Sequence, residues 1–159
     1  MKKILLTILP LLLIIGWTKL EPINLKTLTE KKGGFYTKDT NKPYNGPVFT
    51  LNKYNSETIE WQGSLKNGMP EGVWYKKFDN GQMDVQLNNK NGERNGLYTQ
   101  WYQNGQKRYE VNYTDGKRDG ILKTWHEKNG LKKEISEYIK GELISSICWD
   151  KDGNERECN

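Results

Sequence analysis

One histidine and two cysteines are the only imidazole and thiol groups in this chain of 159 residues. A His-rich zinc site is thereby excluded, and a Cys/His nucleophile pair would have to join His126 to Cys148 or Cys158. There is no Gly-x-Ser-x-Gly elbow, no glycine-rich loop ending in Lys-Ser/Thr and no dinucleotide fingerprint, so the short signatures of acyl, phosphoryl and hydride transfer are missing. Carboxylates are plentiful, but no pair is singled out for glycoside chemistry. The segment DKDGNERE, Asp150 to Glu157, faintly resembles a calcium loop. Its glycine stands fourth instead of sixth and no glutamate fills the twelfth place, so it reads as a closing hairpin turn. The expectation is a non-enzymatic chain without cofactor or metal.

Apolar residues are also scarce, at 34% of the chain with a mean hydropathy of −0.93. Composition of that kind is common in disordered segments, which are poor in aromatics. Six Trp and nine Tyr argue instead for an ordered fold with a thin core built from aromatic rings. The net charge is +5, but no Lys/Arg block is present: Lys31-Lys32, Lys76-Lys77 and Lys132-Lys133 are isolated pairs. That pattern reads as a solvated basic surface, and nucleic acid is not expected as a partner.

No uncharged apolar run reaches the ~20 residues of a spanning helix. The longest, Ile4 to Trp17, contains Pro10 and follows Lys2 and Lys3. Residues 1–17 therefore read as a secretory signal peptide or a retained N-terminal anchor, and residues 18–32 as a linker. The rest of the chain, 33–159, is expected outside the cytoplasm: periplasmic, extracellular or anchored to a membrane. A disulfide between Cys148 and Cys158 is permitted there, with two separate thiols as the alternative.

Glycine, by contrast, is abundant and regularly placed. GMPEGVWYKKFDNGQ begins at Gly68, GERNGLYTQWYQNGQ at Gly92, GKRDGILKTWHEKNGL at Gly116 and GELISSICWDKDGN at Gly141. A second glycine follows four residues later at Gly72, Gly96 and Gly120, with Ser145 in the last copy. A third closes each stretch at Gly81, Gly105, Gly130 and Gly153. An earlier, divergent copy, NKPYNGPVFTLNKYNSE, places Gly46 second and Asn55 third. Such periodicity marks a stacked-repeat protein.

Between the second and third glycines lie residues suited to a strand. Asn80-Gly81, Asn104-Gly105 and Asn129-Gly130 are expected to supply the positive φ angles of a tight hairpin, and alternation such as Tyr109, Val111, Tyr113 marks the returning strand. The predicted architecture is all-β: an elongated antiparallel sheet of about five hairpin units of about 24 residues, the last one a cap. Val48, Trp74, Tyr98, Leu122 and Ile147 stand two places after the middle glycine and are expected to form one apolar row. Phe78, Tyr102 and His126 share that face by the period of two, His126 replacing an aromatic ring, while Trp101 and Trp125 point away. The extra residue before Gly130 predicts a bulge or an altered turn.

Gly-x-Trp/Tyr…Tyr/Phe-x-Asn-Gly at a step of about 24 residues resembles the bacterial variant of the MORN repeat. The leading part, Gly33 to Phe49, is similar to that of YwqK-type antitoxin components, with Phe35-Tyr36 and Lys42-Pro43-Tyr44-Asn45-Gly46 in the matching positions. The resemblance covers about residues 33 to 155. It implies an elongated, slightly curved antiparallel sheet and an antitoxin-like binding role. The expected function is a protein-binding module, its partner a toxin or an envelope component and its binding residues Trp74, Tyr98, Trp101, Tyr102 and Trp125. The alternative is a membrane-associated scaffold resting on anionic lipid or another envelope component.

Overall fold

The computed structural model describes residues 20–52 and 58–158. Residues 1–17, the expected signal or anchor, and Asn55 lie outside them. No helix among the described residues is long and apolar enough to cross a membrane.

The chain is nearly all strand: β1 (Ile23–Asn24), a 3-10 turn (Leu25–Thr27), β2 (Thr29–Lys31), β3 (Gly34–Tyr36), β4 (Gly46–Leu51), β5 (Ile59–Lys66), β6 (Met69–Lys77), β7 (Met83–Lys90), β8 (Glu93–Arg94), β9 (Gly96–Trp101), β10 (Lys107–Thr114), β11 (Lys117–Arg118), β12 (Gly120–Trp125), β13 (Lys132–Ile139), β14 (Glu142–Trp149) and β15 (Glu155–Arg156). They build one elongated sheet in the order β1-β4-β5-β6-β7-β9-β10-β12-β13-β14-β15, with β8 on β7 and β11 on β10, beside the small hairpin β2-β3. Pairing is antiparallel except where β1 lies parallel to β4, Ile23 opposite Val48. The expected all-β sheet of hairpins is what the chain forms.

Of the stretch 18–32, expected to be a linker, the described part from Leu20 onward includes residues that pack on the sheet. Leu28 is buried there, and Ile23 and Leu25 pack on the same cluster as Val48, Leu65, Trp74, Val85 and Leu87. Low apolar content hid this segment, because a few spaced aliphatics suffice when they fall on one patch.

Two kinds of turn alternate along the sheet, and the sequence suggests the wrong one as the tightest. Positive φ at both residues is found at Asn67-Gly68, Asn91-Gly92, Asp115-Gly116 and Lys140-Gly141, the starting glycines of the sequence repeat. These are the type I′ turns. At Asn80-Gly81, Asn104-Gly105 and Asn129-Gly130 only the glycine has positive φ. The amides of Gly81 and Gly105 donate to the carbonyls of Phe78 and Tyr102, which makes a three-residue loop closed by a left-handed glycine. The expected altered turn is present: Gly130 N–H reaches back one residue further, to His126 O.

Both rims are tied to the next hairpin. On the type I′ rim, Gly92 N–H donates to Pro70 O, Gly116 N–H to Arg94 O and Gly141 N–H to Arg118 O. Backbone N–H groups of Asn67, Asn91 and Lys140 donate to the side chains of Asn45, Glu71 and Asp119. On the opposite rim, the Asn104 side chain accepts from Gln106 N–H at 3.0 Å and donates to Glu127 O at 3.1 Å. Asn129 does the same with Leu131 N–H and Lys151 O, and Asn80 with Gln82 N–H and Gln103 O. The asparagine of each Asn-Gly pair thus closes its own turn and holds its neighbour, so its value lies in its amide more than in its backbone angle.

The expected apolar row holds for Val48, Trp74 and Leu122, which are buried, and partly for Tyr98. It fails at Ile147, which is 46% exposed. A bulge between β13 and β14 sets Glu137 opposite Ser145 but Tyr138 opposite Leu143, leaving Ile144 as the extra residue. Ser146 therefore faces Ser136, and Ile147 turns to the other side. Cys148 is buried instead and is disulfide-bonded to Cys158.

Candidate functional surfaces

Strand parity separates the five aromatic candidates. Trp74 and Tyr98 lie on the face of Val48 and Leu122; Trp101 and Trp125 share parity with Leu97 and Ile121 on the other. Trp74 is not available to a partner. It is 8% exposed, and its indole lies over Gly63, where an added Cβ would come within 2.1 Å of the ring. Its Nε1–H donates to Ser64 O at 3.1 Å. Tyr102 is half-buried and its hydroxyl is engaged, donating to Trp125 O at 2.8 Å. His126 meets Trp149 O from the corresponding place, Nε2 at 3.0 Å. The histidine thus replaces a tyrosine in holding the next strand.

The outer face carries Val73, Leu97 and Ile121, which are 54%, 49% and 45% exposed. Each follows the glycine that opens or bends its strand. Trp101 and Trp125 are half-buried further along the same strands. At the end of this line an open cleft of about 450 Å³ is lined by Trp125, Leu131, Lys132 and Trp149. The sequence marked the tryptophans but not the aliphatic row beside them, although the 24-residue spacing of Val73, Leu97 and Ile121 was its available signal.

The inner face changes character from β9 onward. Tyr98, Tyr109 and Tyr113 pack edge to face, with ring centroids 5.5 Å and 6.2 Å from Tyr98. Arg94 lies over Tyr98 and Tyr113, and Arg118 over Tyr109 and Tyr138. Burial raises the Tyr98 and Tyr109 phenols above their ordinary values. Burial also acts upward on Tyr113, but hydrogen bonds from Arg118 and Arg94, and their charges, bring it below the ordinary value. None of Arg94, Arg118, Tyr109, Tyr113 and Tyr138 was singled out from sequence as a site residue.

The Asp150 segment is the closing turn expected of it. Asp150 Oδ1 accepts from the backbone of Asp152 and Asn154, both at 2.9 Å. The Asn154 backbone N–H is the chief cause that holds this carboxyl below its ordinary range. Among the described residues no group of three or more His, Cys, Asp or Glu side chains is placed to hold a metal ion. Comparison with family models, with curated proteins and with solved structures returned no match.

Proposed function

We propose that this chain is a non-catalytic, exported protein-binding module that meets its partner with the outer face of the sheet. The supporting observation is the line of Val73, Leu97 and Ile121, each about half exposed, running beside Trp101 and Trp125 on one face. A regular row of exposed aliphatics is costly to leave in water and is a common mark of a recognition surface. A sheet whose hairpins are tied to one another at the rims also loses little freedom on binding. The partner is another protein, a toxin or an envelope component, and the bacterial MORN-variant reading, with its antitoxin- or immunity-like role, belongs to this proposal. Capture from the native envelope fraction with wild type and with the Leu97→Glu/Ile121→Glu variant tests it. Loss of a specific partner with an unchanged melting point is expected; equal recovery would contradict the proposal.

The apolar run Ile4 to Trp17 favours a second reading, a scaffold held at a membrane. Fractionation separates the two: a shortened chain in the soluble exported fraction counts against the scaffold, and a full-length chain in the membrane fraction supports it.

A further inference from the structure

We propose that the inner face between β9 and β12 is a binding site for a tetrahedral oxyanion, a phosphate or sulfate group. A cavity of about 170 Å³ opens there, lined by Arg94, Tyr98, Gln100, Tyr109, Tyr113 and Arg118. That volume suits a single tetrahedral anion with its first water.

Three observations converge on the cavity. First, two guanidinium groups border it, and among the described residues neither forms an ion pair with a carboxylate. The nearby acid Asp84 is engaged by Lys76 at 3.7 Å. Glu134, which faces Thr124 across β12 and β13, accepts from Ser136 Oγ at 2.6 Å. Second, the hydrogen bonds the two arginines do make are to phenols: Arg94 Nη1 to Tyr113 Oη at 3.4 Å and Arg118 Nη1 to Tyr138 Oη at 3.1 Å, with Arg118 also acting on the Tyr113 phenol. Neutral phenols leave most of the donor capacity and all of the charge of a guanidinium unspent. Third, Tyr109 Oη, on the cavity wall, is a buried atom that makes no hydrogen bond of standard geometry, although the Tyr113 phenol acts on it. Buried hydroxyls are rarely left so poorly satisfied, which indicates a missing acceptor in the cavity.

Two charged forks and the Tyr109 hydroxyl around one small space match an acceptor with several oxygens and a negative charge. The stacking of the arginines on tyrosine faces holds the forks in place before the anion arrives, which lowers the cost of binding. Tyr98 follows Leu97 in the strand, so this site and the proposed protein-binding row occupy opposite faces. The site stands or falls independently of that row.

The test is a titration of the exported chain with inorganic phosphate, with sulfate and with glycerol 2-phosphate, against chloride at matched ionic strength. It is followed by the arginine side-chain Nε–H signals and by the melting temperature. Saturable shifts at Arg94 and Arg118, with a rise in melting temperature absent in chloride, are expected. Tighter binding of glycerol 2-phosphate than of phosphate assigns the natural ligand to phosphate esters; equal binding assigns it to the free anion. Arg118→Gln should weaken binding on the order of tenfold or more, and Arg118→Lys, which keeps the charge but loses the fork, by less. Arg108→Gln, an arginine stacked on Tyr102 outside the cavity, should leave binding unchanged. Shifts no larger than those in chloride, or equal weakening by Arg108→Gln and Arg118→Gln, would overturn the proposal.

Discussion

The two halves of the sheet bury their inner face by different means. In β4 to β7 that face belongs to one cluster, Val48, Leu65, Trp74, Val85 and Leu87, and the segment carrying Ile23, Leu25, Leu28 and Phe35 packs on it. From β9 to β14 the buried apolar residues of that face are Val111, Leu122 and Cys148, separated by Ser136 and half-buried tyrosines. No segment among the described residues covers the second half, and its rings are overlain by arginines. A single-layer sheet has no second sheet to close its core. Where the chain can lay its own leading segment across the face, it builds an ordinary apolar core. Where it cannot, it turns to rings with polar handles and a disulfide.

The sharpest way to test this contrast is to damage the first half's packing. Gly63→Ala places a Cβ within 2.1 Å of the Trp74 ring, whose Nε1 is held by Ser64, so the indole must leave its bed. A loss of about 3 kcal/mol or more is expected in denaturant unfolding. A loss below about 1 kcal/mol would mean that the indole is not wedged there.

The matching test in the second half is Cys158→Ser, which frees β15 from β14. A short closed loop of this kind contributes about 2–3 kcal/mol. The loss should be confined to the C-terminal end, with exchange of β14 amides rising and that of β4 to β6 unchanged. Uniform loss across the sheet would erase the distinction between the halves.

Asn104→Ala removes both the turn-closing acceptor and the tie to Glu127, at a cost of about 1 kcal/mol for each hydrogen bond. Asn104→Asp keeps the acceptor and loses the tie, and should recover about half.

The smallest effect is in alkali and belongs only to the tyrosine half. Tyr98 and Tyr109 have phenols raised by burial, so their neutral forms stabilise the fold fully below the unfolded value near 10. That contribution is lost as pH rises from there towards the folded values, since the unfolded chain then releases protons that the fold retains. Tyr113, lowered by Arg118 and Arg94 against its burial, acts with the opposite sign at lower pH. Tyr109→Phe should flatten the fall in melting temperature above pH ~10; an unchanged slope would remove Tyr109 as its source.

Much of the sheet is legible in the spacing of glycines, because a left-handed backbone position at fixed intervals leaves little but a returning strand between them. The turn types were not legible. Asn-Gly is spelled alike at Asn80-Gly81 and Asn91-Gly92, yet only the second is a type I′ turn, because strand pairing on each side sets the loop length. The face of Ile147 was lost to a single bulged residue, Ile144, which glycine counting cannot place. Trp74 was read as part of a binding face because nothing in the letters says that Gly63, two strand positions from Leu65, leaves room beneath it. The arginine–tyrosine cradle was invisible because Arg94 and Arg118 fall in variable positions of the repeat, and tyrosines of the returning strand were read only for their alternation.

The central claim is that successive hairpins are tied to one another at their rims. Hydrogen exchange of the turn glycines measures it most directly. Gly92, Gly116 and Gly141 donate to Pro70, Arg94 and Arg118 just after the preceding turn, while Gly33 has no such bond among the described residues. The account predicts that the first three amides are protected at least as well as those of mid-strand residues nearby, and that Gly33 exchanges faster. Equal, fast exchange of all four would contradict it.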